Sequence, residues 1–124
     1  MAGVEGAGGG VVTIPWYATV FRGDKLEIAL QEIAPVALRY GGTDYAVYRS
    51  RDDRYRFLQL ATFEEKFDFD RYWMGEEFIG WRTDYASWYQ VPVLYAWNDL
   101  VIGGSVEGEG LRRAASAPLE GESS

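Results

Sequence analysis

Residues 14–42, IPWYATVFRGDKLEIALQEIAPVALRYGG, change their periodicity once, at Gly23. That change decides the fold. Ile14 to Arg22 is rich in β-formers, with Trp16, Tyr17, Thr19, Val20 and Phe21, and reads as a strand. Gly23 stops it. Asp24-Lys25-Leu26-Glu27 fits a capping box, with Asp24 as N-cap and Glu27 three residues on. Leu26, Leu30, Ile33, Ala37 and Tyr40 then recur every three or four positions, the mark of an amphipathic helix. Pro35 has no N–H for the helical ladder and should kink or shorten that helix, and Gly41-Gly42 ends it.

Downstream, Asp44–Ser50 and Arg54–Phe63 read as strands joined by the polar turn Arg51-Asp52-Asp53, an antiparallel hairpin. Glu64 to Asp68 is a charged connection. A second helical region runs from about Asp70 to Trp88, with Gly75 as its weak point. Phe78, Trp81, Tyr85 and Trp88 follow at steps of three, four and three and form one stripe. Val91 to Ile102 is the last strand, entered through Pro92, where proline is tolerated. The order β-α-β-β-α-β predicts an α+β, ferredoxin-like domain: a four-stranded antiparallel sheet with two helices on one face.

Side chains alternate across a sheet. In the last strand Val91, Val93, Tyr95 and Trp97 oppose Pro92, Leu94 and Ala96; in the first, Ile14, Trp16, Ala18 and Val20 oppose Tyr17 and Phe21; in the third, Phe57 and Ala61 oppose Leu58 and Leu60. Both faces are apolar, and two helices cover only one. A face left open to solvent would carry polar alternation. A second copy is the simplest cover, so the sequence predicts a homodimer closed sheet to sheet.

Three segments are expected. Residues 1–12, with five glycines, read as a flexible Gly-rich leader, residues 13–103 as the domain, and residues 104–124 as a disordered acidic tail. The tail's Leu111-Arg112-Arg113 is either a docking peptide for a larger partner or part of a solubilising end. The chain carries −7, and the domain alone has 14 acids against 10 bases. Such a balance repels phosphate backbones, so nucleic acid is not expected as a partner. No apolar run approaches the roughly 20 residues of a membrane span, and no basic n-region opens the chain. A cytoplasmic location is the default.

The 20 aromatic side chains come with no histidine and no cysteine. A Ser-His-Asp or Cys-His nucleophile, a histidine-ligated haem and the usual transition-metal sites are therefore not expected. Asp52-Asp53, Glu64-Glu65 and Glu76-Glu77 are explained by turns and by a helix N-terminus. Gly8-Gly9-Gly10 lacks the preceding strand and the Gly-Lys-Ser/Thr of a phosphate loop.

The βαββαβ order, the doubly apolar sheet and the segment Phe69-Asp70-Arg71-Tyr72-Trp73-Met74-Gly75-Glu76-Glu77-Phe78-Ile79-Gly80-Trp81-Arg82 resemble the dimeric α/β-barrel superfamily, and within it the antibiotic biosynthesis monooxygenase-like (ABM) domains. The resemblance spans about residues 13–102. It implies a dimeric barrel and either cofactor-free oxygenation of polycyclic phenols or haem degradation. Where the haem-degrading branch carries its axial histidine, this chain has Arg82, which does not ligate iron in the ordinary way. The cofactor-free branch is the one that fits. It needs a pocket that stabilises a substrate-derived anion and admits oxygen.

The resemblance makes Trp73 a pocket wall between helix and sheet, with a core tryptophan as the alternative. It makes Arg82 the group that holds developing negative charge, with an ion pair to Asp84, Glu77 or a partner's acid as the alternative. Asn98, the only asparagine, either donates to a substrate oxygen or marks a bend. These three are the catalytic candidates. Tyr17, Tyr45, Phe78 and Tyr85 are the substrate-binding candidates, and Tyr48 and Tyr95 are further potential proton donors. Two functions stay open: a cofactor-independent monooxygenase acting on an aromatic or polyketide-like molecule, or a non-catalytic module that binds a hydrophobic small molecule or docks as an accessory subunit.

Overall fold

A computed structural model describes residues 9–106. Most of the Gly-rich leader, and the acidic tail from residue 107 on with its Leu111-Arg112-Arg113 patch, lie outside the described residues. Strand β1 (Gly10–Tyr17) leads into helix α1 (Gly23–Ile33) and a 3-10 segment (Ala34–Tyr40); β2 (Gly42–Arg49) and β3 (Arg56–Phe63) follow, then α2 (Lys66–Trp73), α3 (Glu76–Asp84), a 3-10 turn (Ala86–Trp88) and β4 (Ala96–Asn98). The four strands form one antiparallel sheet in the order β2-β3-β1-β4. This is the ferredoxin-like α+β arrangement, with its helices on one face of the sheet.

Strand parity sets the core. Val12, Ile14 and Trp16 of β1 and Phe57, Gln59, Ala61 and Phe63 of β3 are buried, and meet Leu26, Ala29, Leu30 and Ile33 of α1, Phe69 and Tyr72 of α2, and Phe78 and Trp81 of α3. The other face carries Val11, Thr13, Pro15 and Tyr17 opposite Thr62, Leu60, Leu58 and Arg56. Ala46 and Tyr48 of β2 extend it, opposite Leu60 and Leu58. It is apolar along its middle and lies open in the single chain.

Several sequence expectations are met and several are displaced. The first helix gives way to the 3-10 segment at Ala34-Pro35, and Gly41 ends it in the left-handed region at φ 97°. The β2-β3 hairpin forms as expected. The first strand, however, starts at Gly10, inside the stretch read as leader. Gly10 is buried, and a Cβ there would sit 2.7 Å from Cζ2 of Trp97, so the glycine admits the ring of β4. The same strand ends at Tyr17. Val20 and Phe21 lie in an exposed turn rather than on the sheet, with Phe21 at φ 67°.

The capping box does not form. Arg22 occupies the N-cap position and no side chain caps it. Asp24 and Glu27 instead receive Arg49 Nη1 at 2.9 and 2.7 Å, because β2 brings a largely buried guanidinium within reach of both carboxylates. The second helical region breaks at Met74-Gly75 into α2 and α3.

The last strand is three residues rather than twelve. Pro15 has no N–H to donate, and β1 pairs with the later chain only on either side of it: Val11–Thr13 with Ala96–Asn98, and Ala18 with Tyr89.

Candidate functional site

Trp73, Arg82 and Phe78 come together on the helix-covered face. Trp73 closes α2, and the break at Gly75 turns α3 back so that Phe78 packs on Trp73 with ring centroids 4.9 Å apart. One turn further along α3, Arg82 lays its guanidinium on both rings, with Cζ 3.9 Å from the Trp73 centroid and 4.9 Å from that of Phe78. Trp16 reaches Trp73 from β1 at 6.4 Å, and Tyr95 caps it from the segment before β4 at 5.2 Å.

Arg82 pairs with neither Asp84 nor Glu77. Glu77 takes Arg39 at 2.7 Å and the Tyr40 hydroxyl at 2.8 Å. Among the described residues no carboxylate pairs with Arg82, and its buried Nη1 has no hydrogen-bond partner. Burial pushes the guanidinium down from the ordinary arginine range, while the nearby Tyr89 and Tyr72 act in the opposite sense. The group still carries its charge at neutral pH. A cation packed on aromatic rings with a buried N–H unclaimed has the chemistry to accept an anionic oxygen.

The remaining candidates are scattered. Phe78 is fully buried and belongs to the core. Asn98 lies on the opposite face of the sheet from Arg82, where its amide donates to Val11 O at 2.9 Å and Thr13 Oγ1 at 3.3 Å and ties β4 to β1. Tyr17, on that opposite face too, donates to Asp53, which raises the phenol and holds the carboxyl below its usual range. Tyr45 and Tyr48 sit exposed on the sheet edge. Tyr85 donates to Glu32 Oε1 at 3.0 Å, and that bond raises its pKa. The structure thus joins Trp73, Arg82 and Phe78 and separates Asn98, Tyr17 and Tyr45 from them.

A buried polar chain went unread in the sequence. Trp16 Nε1 donates to Gln59 Oε1 at 3.0 Å, Gln59 Nε2 donates to the Tyr72 hydroxyl at 3.0 Å, and that hydroxyl donates to Ile33 O at 2.6 Å. Burial holds the Tyr72 phenol well above its ordinary range. The chain spans β1, β3, α2 and the end of α1 behind the Arg82 cluster. The one available signal was Gln59 standing at the core-facing parity of Phe57 and Ala61.

A cleft of about 520 Å³ lined by Gly9, Gly10, Val11, Asp44, Thr62, Asp99 and Leu100 holds none of the candidate residues. No group of three or more acids among the described residues is placed to hold a metal ion, and none of their helices is long and apolar enough to cross a membrane.

No protein-family model matches the chain, and no curated protein matches its sequence. Solved structures do match. A Nitrosomonas europaea protein named for the antibiotic biosynthesis monooxygenases aligns over 80% of this chain and 96% of its own, at TM-score 0.70 and 15% identity. SnoaB, a cofactor-independent oxygenase from Streptomyces nogalater, aligns over 78% and 97% at TM-score 0.68 and 13% identity. A Bordetella bronchiseptica protein, also named for the antibiotic biosynthesis monooxygenases, aligns over 77% and 99% at TM-score 0.67 and 16% identity. Likeness at these identities is likeness of fold. In fold, the chain is similar to these antibiotic biosynthesis monooxygenase-like proteins.

Proposed function

We propose that this chain is a small homodimeric oxygenase that acts without a cofactor on an ionised aromatic or polyketide-like compound. Arg82 carries the reading: its charge is half-buried on Trp73 and Phe78, and its buried Nη1 has no hydrogen-bond partner among the described residues. A phenolate or enolate oxygen on that N–H would be held by a charge-assisted bond, and the same charge would favour the ionised substrate over the neutral one. In such a reaction the substrate is its own reductant. An activated CH2 loses two C–H bonds, one oxygen atom stays on carbon as C=O, and the other leaves as water. Trp73 would flank the ring with Phe78 backing it from the core, while Asn98, Tyr17 and Tyr45 take no part. The second copy would cover the apolar sheet face of Val11, Pro15, Ala46, Leu58 and Leu60. The chain's lack of histidine and cysteine supports the cofactor-free chemistry.

One observation favours the rival reading, a non-catalytic binding or accessory module. Trp16, Phe57, Phe63, Phe69, Tyr72 and Phe78 are all essentially buried and fill the space between helices and sheet. Aerobic incubation with a panel of phenols and anthrones separates the two. Oxygen uptake in wild type that is lost in Arg82→Gln supports the oxygenase. No uptake with any compound, alongside saturable quenching of tryptophan fluorescence, leaves binding alone.

A further inference from the structure

Of the stripe read from the sequence, Trp81, Tyr85 and Trp88 are not absorbed by the Arg82 site, yet they connect to it through redox-active rings. From Trp73 the next indole is Trp16 at 6.4 Å, then Trp81 at 5.2 Å, then the phenol of Tyr85 at 5.5 Å. We propose that Trp73, Trp16, Trp81 and Tyr85 form a relay that carries a one-electron hole from the Arg82–Trp73 cluster to the protein surface, with Glu32 accepting the proton at its end. The need for such an outlet rests on the oxygenase reading; the relay itself does not.

Three features give the path a direction. Arg82 sits 3.9 Å over Trp73 and disfavours a positive hole there, whereas the Glu32 carboxylate at the far end favours one on Tyr85. The two buried indoles between them donate their N–H groups to amide carbonyls, Trp16 to Gln59 Oε1 at 3.0 Å and Trp81 to Ala29 O at 2.8 Å. Neither carbonyl is basic enough to take a proton, so a hole on these rings stays mobile. Among the tyrosines stacked on these tryptophans, Tyr85 alone gives its hydroxyl to a base. Tyr89 donates to the carbonyl of Arg82 and Tyr95 has no protein hydrogen-bond partner among the described residues. The Glu32 bond also keeps the phenol protonated until the electron leaves.

The steps balance. An organic peroxyl radical formed beside Trp73 takes one electron from it and becomes the peroxide anion, leaving the Trp73 radical cation. Electrons from Trp16, and then from Trp81, refill each ring in turn. Tyr85 finally gives an electron to Trp81 and its proton to Glu32, so that a radical cation, a phenol and a carboxylate become an indole, a phenoxyl radical and a carboxylic acid. A thiol in solution then returns a hydrogen atom to the phenoxyl.

The test needs neither substrate nor turnover. Azide radicals from pulse radiolysis oxidise indoles to radical cations and become azide ions. In a Trp88→Phe background, the hole reaches Tyr85 through Trp81 rather than from the surface indole 4.5 Å away. The expected result is a phenoxyl signal that grows as the indole radical decays, at a rate independent of protein concentration. Tyr85→Phe should remove most of that growth, and Glu32→Gln should slow it at least about tenfold. Tyr95→Phe should leave it unchanged. Growth that survives in Tyr85→Phe, disappears in Tyr95→Phe or ignores Glu32→Gln overturns the proposal. A relay that works in a protein showing no oxygen uptake would sink the oxygenase reading and leave the relay standing.

Discussion

The guanidinium of Arg82 rests 3.9 Å above the ring of Trp73, with one buried N–H unmatched by any acceptor among the described residues. Packing on the ring is worth about 0.5–1 kcal/mol, which the loss of hydration opposes. Arg82→Met keeps the volume and removes both effects. Urea unfolding should place its stability within about 1 kcal/mol of wild type, while a phenolate ligand followed by tryptophan quenching should lose at least about tenfold in affinity. A loss of stability without a loss of affinity would make Arg82 a structural residue.

Gln59 bonds Trp16 on one side and Tyr72 on the other, at full burial. Gln59→Leu fills the same space but strands the indole N–H, at a cost of about 1–3 kcal/mol. The urea midpoint should fall accordingly, and the near-ultraviolet signal of the buried tryptophan should change.

Tyr72 gives the fold a response to alkali. Its phenol is held by burial well above the ordinary value of about 10, so the folded chain keeps a proton that the unfolded chain releases. Its contribution is complete below that ordinary value and declines as pH rises past it. Urea midpoints measured between about pH 9 and about pH 11 should fall with pH, and Tyr72→Phe should flatten the slope, even though the variant starts lower at neutral pH.

The open sheet face predicts the assembly. Leu58 stands at its centre, between Pro15 of β1 and Tyr48 of β2. Wild type should sediment as twice the 14.0 kDa chain, and Leu58→Arg as the chain alone. A wild-type particle of 14.0 kDa would dismiss the dimer.

Gly41 ends the 3-10 segment at φ 97°, and a Cβ there would lie 2.6 Å from Asp68 Oδ2. Gly41→Ala should lower stability by about 1–2 kcal/mol from backbone strain alone. Adding Asp68→Ala should recover only the part due to the clash, a separation that a double-mutant cycle measures.

What the sequence disclosed is what local pattern encodes. The switch of period at Gly23, the Gly41 stop and the Arg51-Asp52-Asp53 turn name strand, helix and hairpin without outside help. Distant partners caused the misses. Asp24 and Glu27 satisfy every rule of a cap until Arg49 arrives from β2 and claims both. Gly10 looks like linker until Trp97 of β4 lies across it. Residues 91–95 have strand composition but no continuous ladder, because Pro15 interrupts the neighbour they would join. At the site, Arg82 was nameable but its solitude was not, since that depends on Glu77 being taken by Arg39 and Tyr40.

Gln59 also acts as a key to the order of the strands. If β3 slid two positions along β1, oily residues would still meet oily residues, and packing alone would penalise the error weakly. The amide would then face neither the Trp16 indole nor the Tyr72 hydroxyl, and a stranded carboxamide inside hydrocarbon is a penalty that no rearrangement of rings removes. One hydrophilic side chain thereby tells the correct alignment from its nearest counterfeit.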